Sequence, residues 1–244
     1  MQEKRQVIVI TGASGGLGRA LCHAFSFKDH HIAVHVHRNV SAGQRRVETI
    51  KKAGGEAALF TADVRDSTSV EKMFEEIQTR WKQINLLINN AGVSHDRLFA
   101  KTQDTDFGET LGVNLSGVFF CMRDAGKVMS QHGGGHIINI ASLSAYIGPA
   151  GQAAYAASKR GVIALTQTAA REWGAIPIQV NTVFPGFLPT GMTNRLTPSQ
   201  KDKIIQGNLL GRPSTPAEVA RFIVRLSQMK HVSGQIFNLD SRVY

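Results

Sequence analysis

The feature that most constrains this chain is the string Thr11-Gly12-Ala13-Ser14-Gly15-Gly16-Leu17-Gly18. Residues 6–11 before it have the apolar, β-branched composition of a strand, and residues 17–27 after it show helical spacing. Glycines at such a junction permit a tight turn and bring backbone close to a bound group. The helix that follows then presents free N–H groups and a partial positive charge to an anion. A glycine-rich string alone is a weak signal; its place directly after the first strand gives it weight.

Strand and helix patterns keep alternating after this point. Strands are expected at 31–37, 56–61, 84–89, 136–140, 178–183 and 235–239. Helices are expected at 43–53, 67–81, 105–131, 152–173 and 216–228, with Ser67 as the N-cap of the second of these. The nearly all-apolar segment 84–89 suits a strand buried on both faces. This alternation predicts an α/β fold, a doubly wound parallel sheet with helices on both faces. No Pro/Ser-rich linker, charge block or internal repeat divides the 244 residues, so 1–244 reads as a single domain. The least regular stretch, residues 185–212, could cover a substrate.

A composition of 42% hydrophobic and 19% charged residues excludes disorder and collagen-like repeats. The first apolar run is too short for a signal-peptide core, and no stretch approaches the ~20 apolar residues of a membrane span. Cys22 and Cys121 fall in different helical patterns and read as small buried residues, which suits a reducing cytoplasm. The net charge of +10 fits nucleic acid, an acidic protein partner or a phosphorylated cofactor. The basic residues are scattered apart from short clusters such as Arg45-Arg46 and Lys51-Lys52, and no nucleic-acid motif accompanies them. A solvated surface is therefore expected, with no nucleic acid, no membrane and no metal site.

Two groups of residues carry chemistry. At the end of the second strand an acidic residue would bind the ribose 2′-hydroxyl of NAD, whereas an arginine would accommodate the 2′-phosphate of NADP. This chain has His37-Arg38-Asn39 and no carboxylate between His31 and Val47, so NADP is expected. Arg38 is its main phosphate partner, with Ser14 or Asn39 adding hydrogen bonds. Farther on, Tyr155 and Lys159 stand four apart near the start of a helix, on one face. A nearby ammonium stabilises a phenolate and lowers its pKa, which would let Tyr155 donate a proton to a carbonyl oxygen as hydride reaches the carbon. Ser142, just after a buried strand, could hold the same oxygen.

Taken in order, the glycine string, Asn89-Asn90-Ala91-Gly92, Asn114, Ser142, Tyr155/Lys159 and Pro185-Gly186 resemble the short-chain dehydrogenase/reductase family over essentially the whole chain. Within it the chain is similar to 3-oxoacyl thioester reductases, which act on acyl carrier protein or coenzyme A derivatives. The resemblance implies a seven-stranded Rossmann sheet, a homotetramer and an NADPH-dependent reduction of a carbonyl to a secondary alcohol. It implies Tyr155 as general acid, Lys159 lowering its pKa and binding the nicotinamide ribose, Ser142 orienting the carbonyl, and Asn114 anchoring a proton-relay water. Gly12, Ser14, Gly16, Leu17 and Gly18 would cradle the pyrophosphate. Asp63 and Val64 would contact adenine, with Asn90, Ala91 and Gly92 lining the adenosine side. Pro185, Gly186, Leu188 and Thr190 would wrap the nicotinamide; Gln152, Phe187 and Met192 would face substrate, although core packing suits Phe187 and Met192 equally.

Several positions depart from the family pattern. Gly15 replaces a basic residue common in NADP-using relatives. Gly133-Gly134-Gly135 and Ala175-Ile176 stand where carrier-protein reductases often have arginines, and Leu239-Asp240-Ser241-Arg242 replaces an Asn-Gly-Gly ending. Alternative readings are an alcohol, sugar or steroid dehydrogenase, a quinone or ketone reductase, and a non-catalytic nucleotide-binding regulator.

Overall fold

A computed structural model describes residues 5–26 and 30–242. The seven strands are β1 Gln6–Ile10, β2 His30–Val36, β3 Glu56–Thr61, β4 Leu86–Asn89, β5 Gly135–Ile140, β6 Ile178–Phe184 and β7 Ile236–Asn238. They form one sheet in the order β3-β2-β1-β4-β5-β6-β7, and every pairing is parallel. The strand order reverses direction between β1 and β4, which opens a crevice at their carboxyl ends.

Alternation along β1 explains the layers. Val7 and Val9 point to one side, Ile8 and Ile10 to the other, and all four are essentially solvent-free. Val7 and Val9 join a core with Val70, Phe74 and Ile77 of α3 (Ser67–Trp81), Val118 and Cys121 of α5 (Gly117–Gln131), and Val162 of α7 (Ala153–Glu172). Ile8 and Ile10 join a second core with Leu21 of α1 (Gly16–Ala24), Val47 and Ile50 of α2 (Val40–Lys52), and Ile223 of α9 (Pro216–Ser227). A sheet buried on both faces follows from strands that are apolar throughout.

Local chemistry sets the helix ends. Asn39 caps α2 by accepting a bond from Ala42 N–H at 3.1 Å. Asp66, not Ser67, caps α3: its carboxylate accepts from Thr68 N–H at 2.9 Å, and the Ser67 hydroxyl instead accepts from Arg123. Phe27, the expected end of the first helix, lies outside the described residues. The predicted helix over 105–131 is three pieces, α4 (Asp104–Leu111), a π-helical turn Gly112–Ser116, and α5. A short α6 (Ser144–Ile147) follows β5. The stretch 185–212 is more regular than expected, containing a 3₁₀ turn Gly191–Arg195 and α8 (Pro198–Gln206). Among the described residues no helix is long and apolar enough to cross a membrane.

Candidate active site

The loops after β1, β4 and β5 lie side by side. In the first, Gly12 adopts φ +63, and a Cβ there would come within 2.8 Å of the Ala91 backbone, so only glycine fits. Thr11 Oγ1 accepts the N–H groups of Asn90 and Ala91, both at 3.0 Å. The Asn90 amide donates back to the carbonyls of Thr11 and Gly12. Beneath the loop, His35 Nδ1 accepts from Gly12 N–H at 3.3 Å while Nε2 pairs with the Ala62 carbonyl at 3.1 Å. This fixes a neutral imidazole with its proton on Nε2, and burial lowers its pKa to about 4.

α1 opens at Gly16 with no side chain capping it, which leaves its first N–H groups to a ligand. A Cβ on Gly16 would fall 2.5 Å from Thr190 Cγ2, so the segment after β6 meets the glycine loop there. Backbone bare of side chains beside an uncapped helix end fits the pyrophosphate of a dinucleotide. Leu17 and Gly18 are buried at the base of that helix, and Ser14 is half-buried. Arg38 lies exposed between β2 and α2 and makes no ion pair among the described residues. Asn39 spends its side-chain oxygen on the α2 cap and keeps its Nδ2 as a donor. The Asp63 carboxylate is held by Arg65, with contacts down to 2.6 Å, and its pKa falls to about 2 chiefly for that reason. Val64 packs into the first core.

Asn114 lies in the π-helical turn and is fully buried. Its Oδ1 accepts from Val93 N–H at 2.9 Å and its Nδ2 donates to the Val93 carbonyl at 2.8 Å and to Ser158 Oγ at 3.3 Å. A wide turn of this type rotates one side chain out of α-helical register and is common at functional sites. A Cβ placed on Gly92 would lie 3.3 Å from Asn114 Oδ1 and 3.8 Å from Lys159 Nζ. Three of the expected site residues therefore converge.

Lys159 Nζ, only 4% exposed as a residue, donates to the Ile140 carbonyl at 2.8 Å and sits 5.7 Å from the Tyr155 ring centre. Burial pushes this ammonium down to about 8. Burial also pushes the Tyr155 phenol up to about 12; a hydrogen bond with Ser142 opposes the rise and the charge of Asp96 adds to it. The expected lowering of the phenol pKa by Lys159 is thus not seen. The ammonium is tied to a carbonyl and lies toward the ring, so desolvation of the phenolate dominates.

The residues expected around nicotinamide and substrate divide. Gln152 donates to Asp96 at 3.2 Å. Phe187 and Leu188 are largely buried, and Leu188 belongs to the second core. Met192 is 46% exposed. Pro185 is half-buried, and Gly186 turns with φ +78 against Ser214. Arg195 donates to the Ser94 carbonyl at 2.6 Å and ties the 3₁₀ turn Gly191–Arg195 to the loop after β4. Sequence reasoning missed His35, Asp96 and Ser158. Only His35 left a signal, a polar residue within the buried stretch 32–36 of its strand.

The short chain dehydrogenase family profile matches residues 6–241. A 3-oxoacyl-[acyl-carrier-protein] reductase of Synechocystis sp. is 35% identical over 238 residues, covering 96% of this chain and 95% of that protein. Reductases of the same name from Staphylococcus epidermidis and Staphylococcus aureus are each 32% identical; both alignments cover 97% of this chain, with 98% and 97% of the relative. With the 3-2-1-4-5-6-7 parallel sheet and the glycine loop on its first crossover, this chain belongs to the short-chain dehydrogenase family, an oxidoreductase family that uses a nicotinamide cofactor.

Proposed function

We propose that this protein is an NADPH-dependent reductase that converts a carbonyl to a secondary alcohol, with a 3-oxoacyl thioester of acyl carrier protein or coenzyme A as its substrate class. The observation that carries this reading is the convergence of Tyr155, Lys159 and Asn114 at the end of β5: Lys159 Nζ lies 5.7 Å from the Tyr155 ring centre and 2.8 Å from the Ile140 carbonyl, and a Cβ on Gly92 would be within 4 Å of both Lys159 Nζ and Asn114 Oδ1. A phenol with a pKa near 12 is in the form that donates a proton. When bound, the cofactor supplies a hydride to the carbonyl carbon. Tyr155 gives its proton to the carbonyl oxygen, and Ser142 orients that oxygen. Lys159 supplies positive charge beside the phenol as phenolate forms, and holds the nicotinamide ribose. Asn114, bonded to both backbone groups of Val93, positions a water that returns protons through Lys159.

Gly12, Ser14, Gly16, Leu17, Gly18, Asn90, Ala91, Gly92, Asp63, Val64, Pro185, Gly186, Leu188 and Thr190 hold the rest of the cofactor. Arg38 and Asn39 favour a 2′-phosphate, because Arg38 has no competing carboxylate. Gln152 borders the substrate together with Phe187 and Met192 of a covering segment, 185–212, within a single domain. The names of the relatives support the thioester. The half-exposed Phe107 of α4 and Phe119 of α5 suit a homotetramer, and the two buried free cysteines suit a reducing cytoplasm. The test is a screen of acetoacetyl thioesters, quinones and simple ketones with NADPH and NADH. Fastest turnover of the thioester with NADPH is expected. Turnover confined to quinones or simple ketones, or a preference for NADH, would overturn the assignment.

A further inference from the structure

The basic clusters Arg45-Arg46 and Lys51-Lys52 both fall on α2, which packs beside α1. Together these helices carry Arg19, Arg45, Arg46, Lys51 and Lys52 against a single carboxylate, Glu48. Between them lies a cavity of about 290 Å³, one to two turns along α1 from the glycine loop and lined by neither Tyr155 nor Lys159. Arg19, His23, Arg46 and Thr49 form its polar wall, and Cys22 and Ile50 contribute apolar surface. Its size is at the lower end of the range for small-molecule pockets.

Two observations point to an anion. Arg46 Nε is buried and has no hydrogen-bond partner, an arrangement that costs free energy unless an acceptor arrives. Among the described residues neither Arg19 nor Arg46 forms an ion pair. Arg46 of α2 and Cys22 of α1 line the same cavity, and the Arg46 charge opposes the burial that pushes the Cys22 thiol up to about 12. Cys22 stays a neutral thiol, so the only strong charges on the cavity wall are positive.

We propose that this cavity binds a small phosphomonoester, with its phosphate between Arg19 and Arg46 and its carbon body against Cys22 and Ile50. Two guanidinium forks offer more donors than one carboxylate can accept, and they match the oxygens and double charge of a phosphate. Ala20, small and without polar atoms, completes the wall beside the carbon body.

The test is calorimetric titration of the NADPH-saturated protein with glycerol 3-phosphate and with inorganic phosphate, at constant ionic strength. Saturation with NADPH fills the cofactor's own phosphate sites beforehand. Saturable binding is expected, tighter for glycerol 3-phosphate. Arg46→Gln and Arg19→Gln should each weaken it about tenfold or more. Lys52→Gln, on the same helix outside the cavity, should bind as the unaltered protein does. No saturable binding, or Arg46→Gln and Arg19→Gln proteins that bind normally, would overturn the site. Equal weakening by Lys52→Gln would reduce it to general surface charge, and equal affinity for the two ligands would remove the carbon-bearing ligand. Should one arginine variant fail to fold, the other carries the test.

Discussion

Lys159 and Tyr155 are four residues apart in sequence, and that spacing alone suggests an ammonium at a phenol oxygen. The folded geometry puts Nζ on the Ile140 carbonyl, and burial drives the two pKa values apart, the ammonium down to about 8 and the phenol up to about 12. Over the physiological range the phenol then keeps its proton, and Lys159 is the group that titrates first. Reduction should accordingly weaken as pH rises through about 8, where the ammonium is lost. The value of kcat/KM for a ketone, followed from about pH 6 to 10, checks this; a flat profile would contradict it. Arg38 gives a second test at this scale. Arg38→Gln should raise KM for NADPH about tenfold or more while leaving KM for NADH nearly unchanged, because only the 2′-phosphate loses a charged partner.

Asn114 shows what elements add to residues. Its sequence signal was an asparagine inside a helical pattern, where that residue is unfavourable. The π-helical turn supplies the reason, since it lets the amide satisfy both backbone groups of Val93 and reach Ser158. Asn114→Ala would strand the part-buried N–H and carbonyl of Val93, and should cost about 1–3 kcal/mol together with turnover. Urea midpoints read the stability part, and an unchanged midpoint would show that Val93 finds other partners. The elements on either side were legible because apolar runs and helical spacing mark them directly. The turn was not, because its extra residue leaves no periodic trace in a 27-residue helical pattern (105–131). α8 was missed for a different reason. Its start, Thr197-Pro198-Ser199-Gln200, is a capping box of the same kind as Thr215-Pro216-Ala217-Glu218 at α9, but it lacks an apolar stripe, and no residue of α8 is buried.

For the whole molecule, a sheet buried on both faces leaves little room for polar groups, yet it holds His35 and His136. Burial keeps both imidazoles near pKa 4, against an ordinary value of 6.5. The unfolded chain therefore binds more protons than the folded one between those values, and stability falls as pH drops from 6.5 toward 4. Each contributes on the order of 3 kcal/mol across that window, readable as a falling urea midpoint. Light scattering should give four times the chain mass if the tetramer forms. The parallel sheet with helices on both faces was legible from alternation and its seven-stranded Rossmann arrangement from the family resemblance, whereas the direction of the Tyr155 shift was not, because it depends on how much water the assembled cleft excludes. The central claim is that Tyr155 donates the proton in an NADPH-dependent carbonyl reduction. The most direct measurement is NADPH oxidation with an acetoacetyl thioester by Tyr155→Phe, with NADPH binding measured in parallel. The account predicts turnover reduced at least about a hundredfold with near-normal binding; turnover close to that of the unaltered protein would contradict it.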